Sequence, residues 1–220
     1  GLGDIGPEAS KPVMEGKALL FKIFADIDVF DIEIGTKDID AFIETVKNIA
    51  PTFGGINLED IKAPESFEIE RRLVEELNIP VMHDDQHGTA IISSAALLNA
   101  LELAEKKPED IKMVVSGAGS AALACADLYV LLGVNPKNIY MFNSKGLLTK
   151  DNPSLSSMQQ KYAREGQSLT LEEALVGADL FLGLSSGDLL TPAMLLGMAE
   201  NPIVFAMANP NPEIAYNTAI

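Results

Sequence analysis

The apolar run Ile111 to Val115, broken only by Lys112, leads into Ser116-Gly117-Ala118-Gly119-Ser120 and then into the apolar stretch Ala121 to Leu132. Strand, glycine turn and helix in that order strongly restrict what the chain can fold into. They are the parts of a dinucleotide-binding crossover. The first glycine makes the tight turn, the second lets backbone approach a pyrophosphate, and the helix N-terminus supplies free N–H groups. Ala122 takes the third fingerprint position, where alanine is tolerated. Gly117, Ala118, Gly119, Ser120 and Ala121 are therefore candidate cofactor-binding residues, against the alternative of a purely structural turn. The fingerprint also expects an acid at the end of the next strand, to hold a ribose 2′-OH. Asn143 stands there, with Lys145 close behind, a pattern that leans toward NADP over NAD. The bland alternative is that Asn143 caps a turn.

Around this unit, strand and helix patterns alternate. Helical spacing marks 11–24, 37–49, 66–77, 86–105, 120–132, 171–176 and 192–200. Strand patterns mark 28–34, 51–58, 78–83, 111–115, 138–142, 179–184 and 203–208, and 144–168 reads as polar and irregular. Strands spaced by helices predict an α/β fold, with parallel sheets covered by helices on both faces. A boundary is expected in or near the helix at 86–105.

Composition narrows the function. With 16 Lys+Arg against 32 Asp+Glu, the net charge of -16 argues against nucleic acid or an anionic membrane as partner. The single cysteine, Cys125, excludes a disulfide framework and a thiolate metal site, and reads as a buried small side chain rather than a nucleophile. No basic, apolar leader opens the chain, so a cytoplasmic location is expected. The apolar stretch Met113 to Gly133 is broken by the glycine turn and charged at Asp127, which argues against a membrane span. The chain begins on Gly rather than Met, which suggests a processed or excerpted chain.

Two acidic pairs follow predicted strands, Glu59-Asp60 after Leu58 and Asp84-Asp85 after His83. A helix joins those strands, so both pairs are expected at the carboxyl edge of a parallel sheet, where such sheets bind ligands. Converging carboxylates repel one another unless a cation joins them, and hard oxygen ligands suit Mg²⁺ or Mn²⁺. Solvated loop acids are the alternative. His83 and His87 flank the second pair, and hydrogen bonding to the acids is preferred over zinc ligation. Lys17 is a general base only if burial or a nearby cation lowers its pKa. Asn209, in Asn209-Pro210-Asn211-Pro212, is either part of a turn or an amide for a substrate or a nicotinamide ribose.

These segments resemble the malic enzymes, especially the shorter bacterial type. The resemblance rests on Gly1-Leu2-Gly3-Asp4-Ile5-Gly6 with Lys11-Pro12-Val13-Met14-Glu15-Gly16-Lys17, then on Phe53-Gly54-Gly55-Ile56-Asn57-Leu58-Glu59-Asp60-Ile61. It continues through His83-Asp84-Asp85-Gln86-His87-Gly88-Thr89-Ala90, Ser116-Gly117-Ala118-Gly119 and Ala208-Asn209-Pro210. It implies oxidative decarboxylation of malate to pyruvate and CO2, with NAD or NADP and a divalent metal. It implies Lys17 as general base, Glu59, Asp60 and Asp85 as metal ligands, and Asp84 as the acid beside them. Gly117 to Ala121 match its dinucleotide turn, and Asn209 its amide at substrate and cofactor. A homo-oligomer, usually a dimer, is implied as well. Residues 1–88 then correspond to the C-terminal part of the family's catalytic domain, and 89–220 to a Rossmann-type NAD(P)-binding domain lacking its C-terminal end. The family's proton-donor tyrosine lies well upstream, and Tyr129, Tyr140, Tyr162 and Tyr216 do not match it. Bacterial relatives often carry Asp where this chain has Asn143. Two other readings stay open, a non-catalytic dinucleotide- and metal-binding fragment and a non-decarboxylating hydroxy-acid dehydrogenase.

Overall fold

The structure is a computed structural model that describes residues 5–166 and 168–220. The chain divides into two compact units, Gly1–Asp85 and Gln86–Ile220.

In the first unit, helix α1 (Pro7–Ala25) opens on a proline, whose missing N–H costs nothing at a helix start. It ends at Asp26, whose left-handed φ of 53° turns the chain away. The segment after it was expected as a strand over 28–34, and the structure corrects this. It runs without a ladder partner among the described residues, and Ile27, Phe30 and Ile32 are exposed. Alternating apolar residues make a strand only where a neighbour takes up the backbone hydrogen bonds. Here ion pairs from Lys11 to Asp31 and to Glu33 tether the segment instead.

Helix α2 (Ile39–Ile49) starts at Asp38, whose side chain accepts from the Ala41 N–H at 2.7 Å. The strand expected over 51–58 shrinks to β1 (Ile56–Leu58), because Ala50–Thr52 forms a 3₁₀ turn around Pro51. Helix α3 (Glu65–Glu76) then leads to β2 (Val81–His83). Strands β1 and β2 pair in parallel, Ile56 opposite Val81 and Leu58 opposite His83. Ile43 and Val46 of α2, Leu58, and Ile69 and Leu73 of α3 form the core of this unit. Helix α4 (Asp84–Leu103) follows β2 directly and crosses the division between the units.

The second unit is a five-stranded sheet. It contains β3 (Met113–Ser116), β4 (Ile139–Asn143), β5 (Gly146–Leu147), β6 (Leu180–Gly183) and β7 (Ile203–Ala206), in the order β5-β4-β3-β6-β7. All pairings are parallel except the short β4–β5 return, which the sequence patterns did not reveal. Helix α5 (Ser120–Leu131) joins β3 to β4. Helices α6 (Ser157–Gln160) and α7 (Leu171–Leu175) precede β6, α8 (Pro192–Leu196) links β6 to β7, and α9 (Tyr216–Ala219) ends the chain.

Residue alternation puts Met113, Val115, Leu180 and Leu182 into one apolar layer with Leu97 and Leu101 of α4 and Ala122 and Ala126 of α5. Val114 and Phe181 enter the opposite layer with Ala174 and Leu175 of α7. Both faces of the sheet are thus covered, as parallel sheets require. The stretch Met113 to Gly133 is divided between β3 and α5, and among the described residues no helix is long and apolar enough to cross a membrane.

Phe181 is fully buried and Leu131 is 83% exposed, which makes them a matched test of this layering. Phe181→Ala is expected to cost about 3–5 kcal/mol. Leu131→Ala should stay within about 0.5 kcal/mol. Denaturant unfolding of both variants decides, and equal midpoints would contradict the layers.

Candidate active site

The carboxyl ends of β1 and β2 lie side by side because the strands pair in parallel. Glu59 and Asp60 follow one end, and Asp84 and Asp85 follow the other. One carboxylate oxygen each of Glu59, Asp60 and Asp85 falls within 4.8 Å of the others. The two ends are tied directly, for the Asp60 N–H donates to Asp85 Oδ2 at 2.9 Å. Asp60 adopts a left-handed φ of 52°, a strained conformation for a non-glycine residue that such sites commonly store. Behind β2, the buried Glu70 of α3 accepts the His83 N–H at 2.8 Å and so fixes the strand just before Asp84. Sequence reading passed over Glu70, since its role depends on which turn of α3 faces β2.

Lys17 comes from α1. Its Nζ lies 3.0 Å from Glu59 Oε2 and donates to Asp84 Oδ2. Burial pushes the Glu59 carboxyl up to about 7, and the charge of Asp85 adds to this against the hydrogen bond from Lys17. Burial alone would lower the Lys17 pKa, but hydrogen bonds to Asp84 and Glu59 outweigh it and hold the pKa above the ordinary lysine value. Lys17, Glu59 and Asp60 line a cavity of about 900 Å³ within this unit.

The donor set fits a hard divalent cation. It offers three convergent carboxylate oxygens, one of them on the Glu59 carboxyl, whose ionisation burial and the charge of Asp85 oppose. Neither His83 nor His87 belongs to this group among the described residues. Gly1 to Asp4 of the first glycine-rich segment lie outside the described residues.

The second unit builds a different feature. Gly117, at the end of β3, has φ 119°, and a Cβ there would stand 2.5 Å from the Leu184 carbonyl oxygen. Only glycine fits. Around Gly119 the space is open, with nothing within 4 Å of where a Cβ would be. No side chain caps α5 among the described residues, and uncapped first-turn N–H groups are the kind of donors that anions accept from. The chain moves from β3 outward to β4 and later returns to β6 on the other side, which makes the end of β3 the switch point of the sheet. Asn143 Oδ1 accepts the Lys145 N–H at 2.8 Å, so this amide does shape a turn. Asn209 is exposed in the loop after β7. Tyr129 is in the core, and Tyr162 donates to Asp127 at 2.5 Å; burial, reinforced for Tyr162 by Asp127, raises both phenols. Cys125 is buried and contacts Ser93 Oγ at 3.4 Å, which fits a packing role.

Comparison with known proteins places these features in a family. Residues 1–74 match the model described as "Malic enzyme, N-terminal domain", and residues 86–218 match "Malic enzyme, NAD binding domain". The chain is 56% identical over 215 residues to an NAD-dependent malic enzyme of Rhizobium meliloti, covering 97% of this chain and 28% of that protein. It is 52% identical over 214 residues to an NADP-dependent malic enzyme of Halomonas elongata, covering 97% and 51%. Among solved structures, the NAD-dependent malic enzyme of Thermotoga maritima superposes with a TM-score of 0.92 at 49% identity, covering all of this chain and 59% of that one. The chain thus spans between about a quarter and a half of the curated relatives named here.

The raised Glu59 carboxyl predicts a pH dependence. Folded Glu59 keeps its proton to about 7, whereas the unfolded group releases it near 4.5. Folding therefore takes up a proton between those values, and the metal-free chain should lose stability as pH rises through the window. Glu59→Gln should flatten that slope in denaturant melts with EDTA present. An equal slope in both proteins would contradict the geometry.

Proposed function

The chain belongs to the malic enzyme family, and from that premise we propose that it carries the metal- and dinucleotide-binding core of an enzyme that oxidatively decarboxylates malate. The products are pyruvate, CO2 and reduced NAD or NADP. The observation that carries this reading is the convergence of Glu59, Asp60 and Asp85, with the Lys17 amine 3.0 Å from Glu59.

In this reading residues 1–88 belong to the catalytic domain and 89–220 form the NAD(P)-binding domain. Glu59, Asp60 and Asp85 hold Mg²⁺ or Mn²⁺. When bound, the cation supplies Lewis-acid polarisation of the substrate oxygens and a charge that lowers the pKa of Lys17, while the dinucleotide supplies the hydride acceptor. Lys17 takes the proton of the malate C2 hydroxyl. Asp84, hydrogen-bonded to the Lys17 amine, holds it in place and stabilises the charge that it gains. Gly117 to Ala121 receive the pyrophosphate at the N-terminus of α5. Asn209 supplies an amide beside the nicotinamide ribose and substrate. The absence of an acid at Asn143, with Lys145 beyond it, supports NADP over NAD. Exposed Leu19, Leu20, Ile23 and Phe24 on α1 support a homo-oligomer, with a dimer the simplest case.

Malate, Mn²⁺ and either NAD⁺ or NADP⁺ should yield reduced nicotinamide and pyruvate in equal amounts. Reduction that leaves a keto acid of unchanged carbon count would sink decarboxylation, and binding without turnover would favour a binding-only fragment. Mn²⁺ at about a hundred times its Kd should stabilise the chain by about 2.7 kcal/mol. Asp85→Ala should abolish that stabilisation. If Mn²⁺ still raises the melting temperature of this variant, the ligand assignment is wrong.

A further inference from the structure

Glu213 is fully buried, although it is a carboxylate one residue past the Asn209-Pro210-Asn211-Pro212 turn. A buried carboxylate is expensive unless its oxygens are hydrogen-bonded. Its partners here are backbone amides. Oε1 accepts the Ser185 N–H at 3.2 Å, and Oε2 accepts the Ala208 N–H at 3.1 Å. Ser185 lies just beyond β6 and Ala208 just beyond β7, so one side chain bridges the carboxyl ends of two adjacent parallel strands.

The neighbouring backbone is arranged around this bridge. A Cβ on Gly183 would stand 2.3 Å from the Glu213 carboxyl carbon, so β6 ends in glycine to admit the side chain. A Cβ on Gly187 would stand 2.7 Å from the Asn211 Cβ, so the two loops pack directly together. Two backbone hydrogen bonds lock them, from the Asp188 N–H to the Pro212 oxygen at 3.0 Å and from the Leu190 N–H to the Glu213 oxygen at 2.8 Å. On the other side, Ser185 Oγ lies 2.7 Å from Ser116 Oγ, and the Leu184 N–H donates to the Ser116 oxygen at 2.8 Å. Leu184 is also the residue against which Gly117 turns. A continuous path of contacts thus runs from the glycine turn through Leu184, Ser185 and Glu213 to Ala208, next to Asn209.

We infer that Glu213 is a positioning residue that sets the β6 and β7 loops so that Asn209 faces the nicotinamide half of the dinucleotide. This rests on the dinucleotide reading of the second unit. The topology separates the two halves of the ligand. Asn143, at the end of β4, marks the adenosine side of the β3 switch point, and β6 and β7 lie on the other side. The amides that Glu213 accepts from, those of Ser185 and Ala208, are on the second side.

Glu213→Gln keeps the shape but turns one acceptor into a donor, so one of the two amides loses its partner. The full chain and this variant are titrated with NADH, NADPH and ADP, which lacks the nicotinamide half. The variant should bind NADH and NADPH about tenfold more weakly and ADP within about twofold of the parent. In an Asn209→Ala background, Glu213→Gln should produce no further loss for NADH. A lowered melting temperature with unchanged NADH affinity would overturn the proposal, because Glu213 would then serve stability alone. Equal losses for NADH and ADP would overturn it too. Gly183→Ala leaves every charge in place and drives a methyl group into the same carboxylate. It should show the same split between NADH and ADP, and it decides the matter if Glu213→Gln does not fold. If the parent chain binds none of the three ligands, the dinucleotide reading falls, and this proposal falls with it.

Discussion

In a parallel sheet every strand ends on the same edge, so the register that sets Leu58 opposite His83 forces Glu59-Asp60 and Asp84-Asp85 into one space. The second unit obeys the same rule. Ser116, Phe142, Gly183 and Ala206 share one level of the sheet, and everything that follows them emerges on one side. The glycine turn, Asn143 and Asn209 are neighbours of that edge for this reason alone. Apolar contacts underneath hold the register: Ile43, Val46, Ile69 and Leu73 in the first unit, and in the second one layer with Val115 and Leu182 and another with Val114 and Phe181.

The register creates an electrostatic difficulty that the first unit uses. Two like charges 4 Å apart repel by about 4 kcal/mol at an effective dielectric of 20. Whole domains are stable by only about 5–15 kcal/mol. Three convergent carboxylates therefore need an opposite charge. Lys17 provides one, and Glu59, pushed chiefly by burial and further by the charge of Asp85, holds its proton up to about 7. The same imbalance that weakens the bare fold is what a divalent cation at the proposed site would relieve. Hydrogen bonds to Asp84 and Glu59 in turn outweigh the burial of Lys17 and hold its pKa above the ordinary lysine value.

The second unit meets a steric constraint rather than an electrostatic one. Gly117 and Gly183 have no side chain because Leu184 and the Glu213 carboxylate occupy the space. One close approach shapes the glycine turn, and the other admits the buried carboxylate that joins two loops.

Much of this was legible beforehand. The helix and strand order, the glycine turn and the two acidic pairs are local patterns, and they follow from side-chain periodicity and backbone freedom. The alternation over 28–34 misled, since apolar spacing does not say whether a neighbouring strand exists to take up the hydrogen bonds. Pro51 could have shortened β1 on sequence grounds, because a residue without an N–H favours the turn it sits in. The sequence by itself determined which residues can carry charge, turn sharply or bury. Only the tertiary structure decided which of the 32 acids meet. It drew Glu59, Asp60 and Asp85 together out of the two acidic pairs, buried Glu213 against the Ser185 and Ala208 amides, and set Glu70 against the His83 N–H. Contact between residues far apart in the chain depends on register and packing, and no local pattern encodes either.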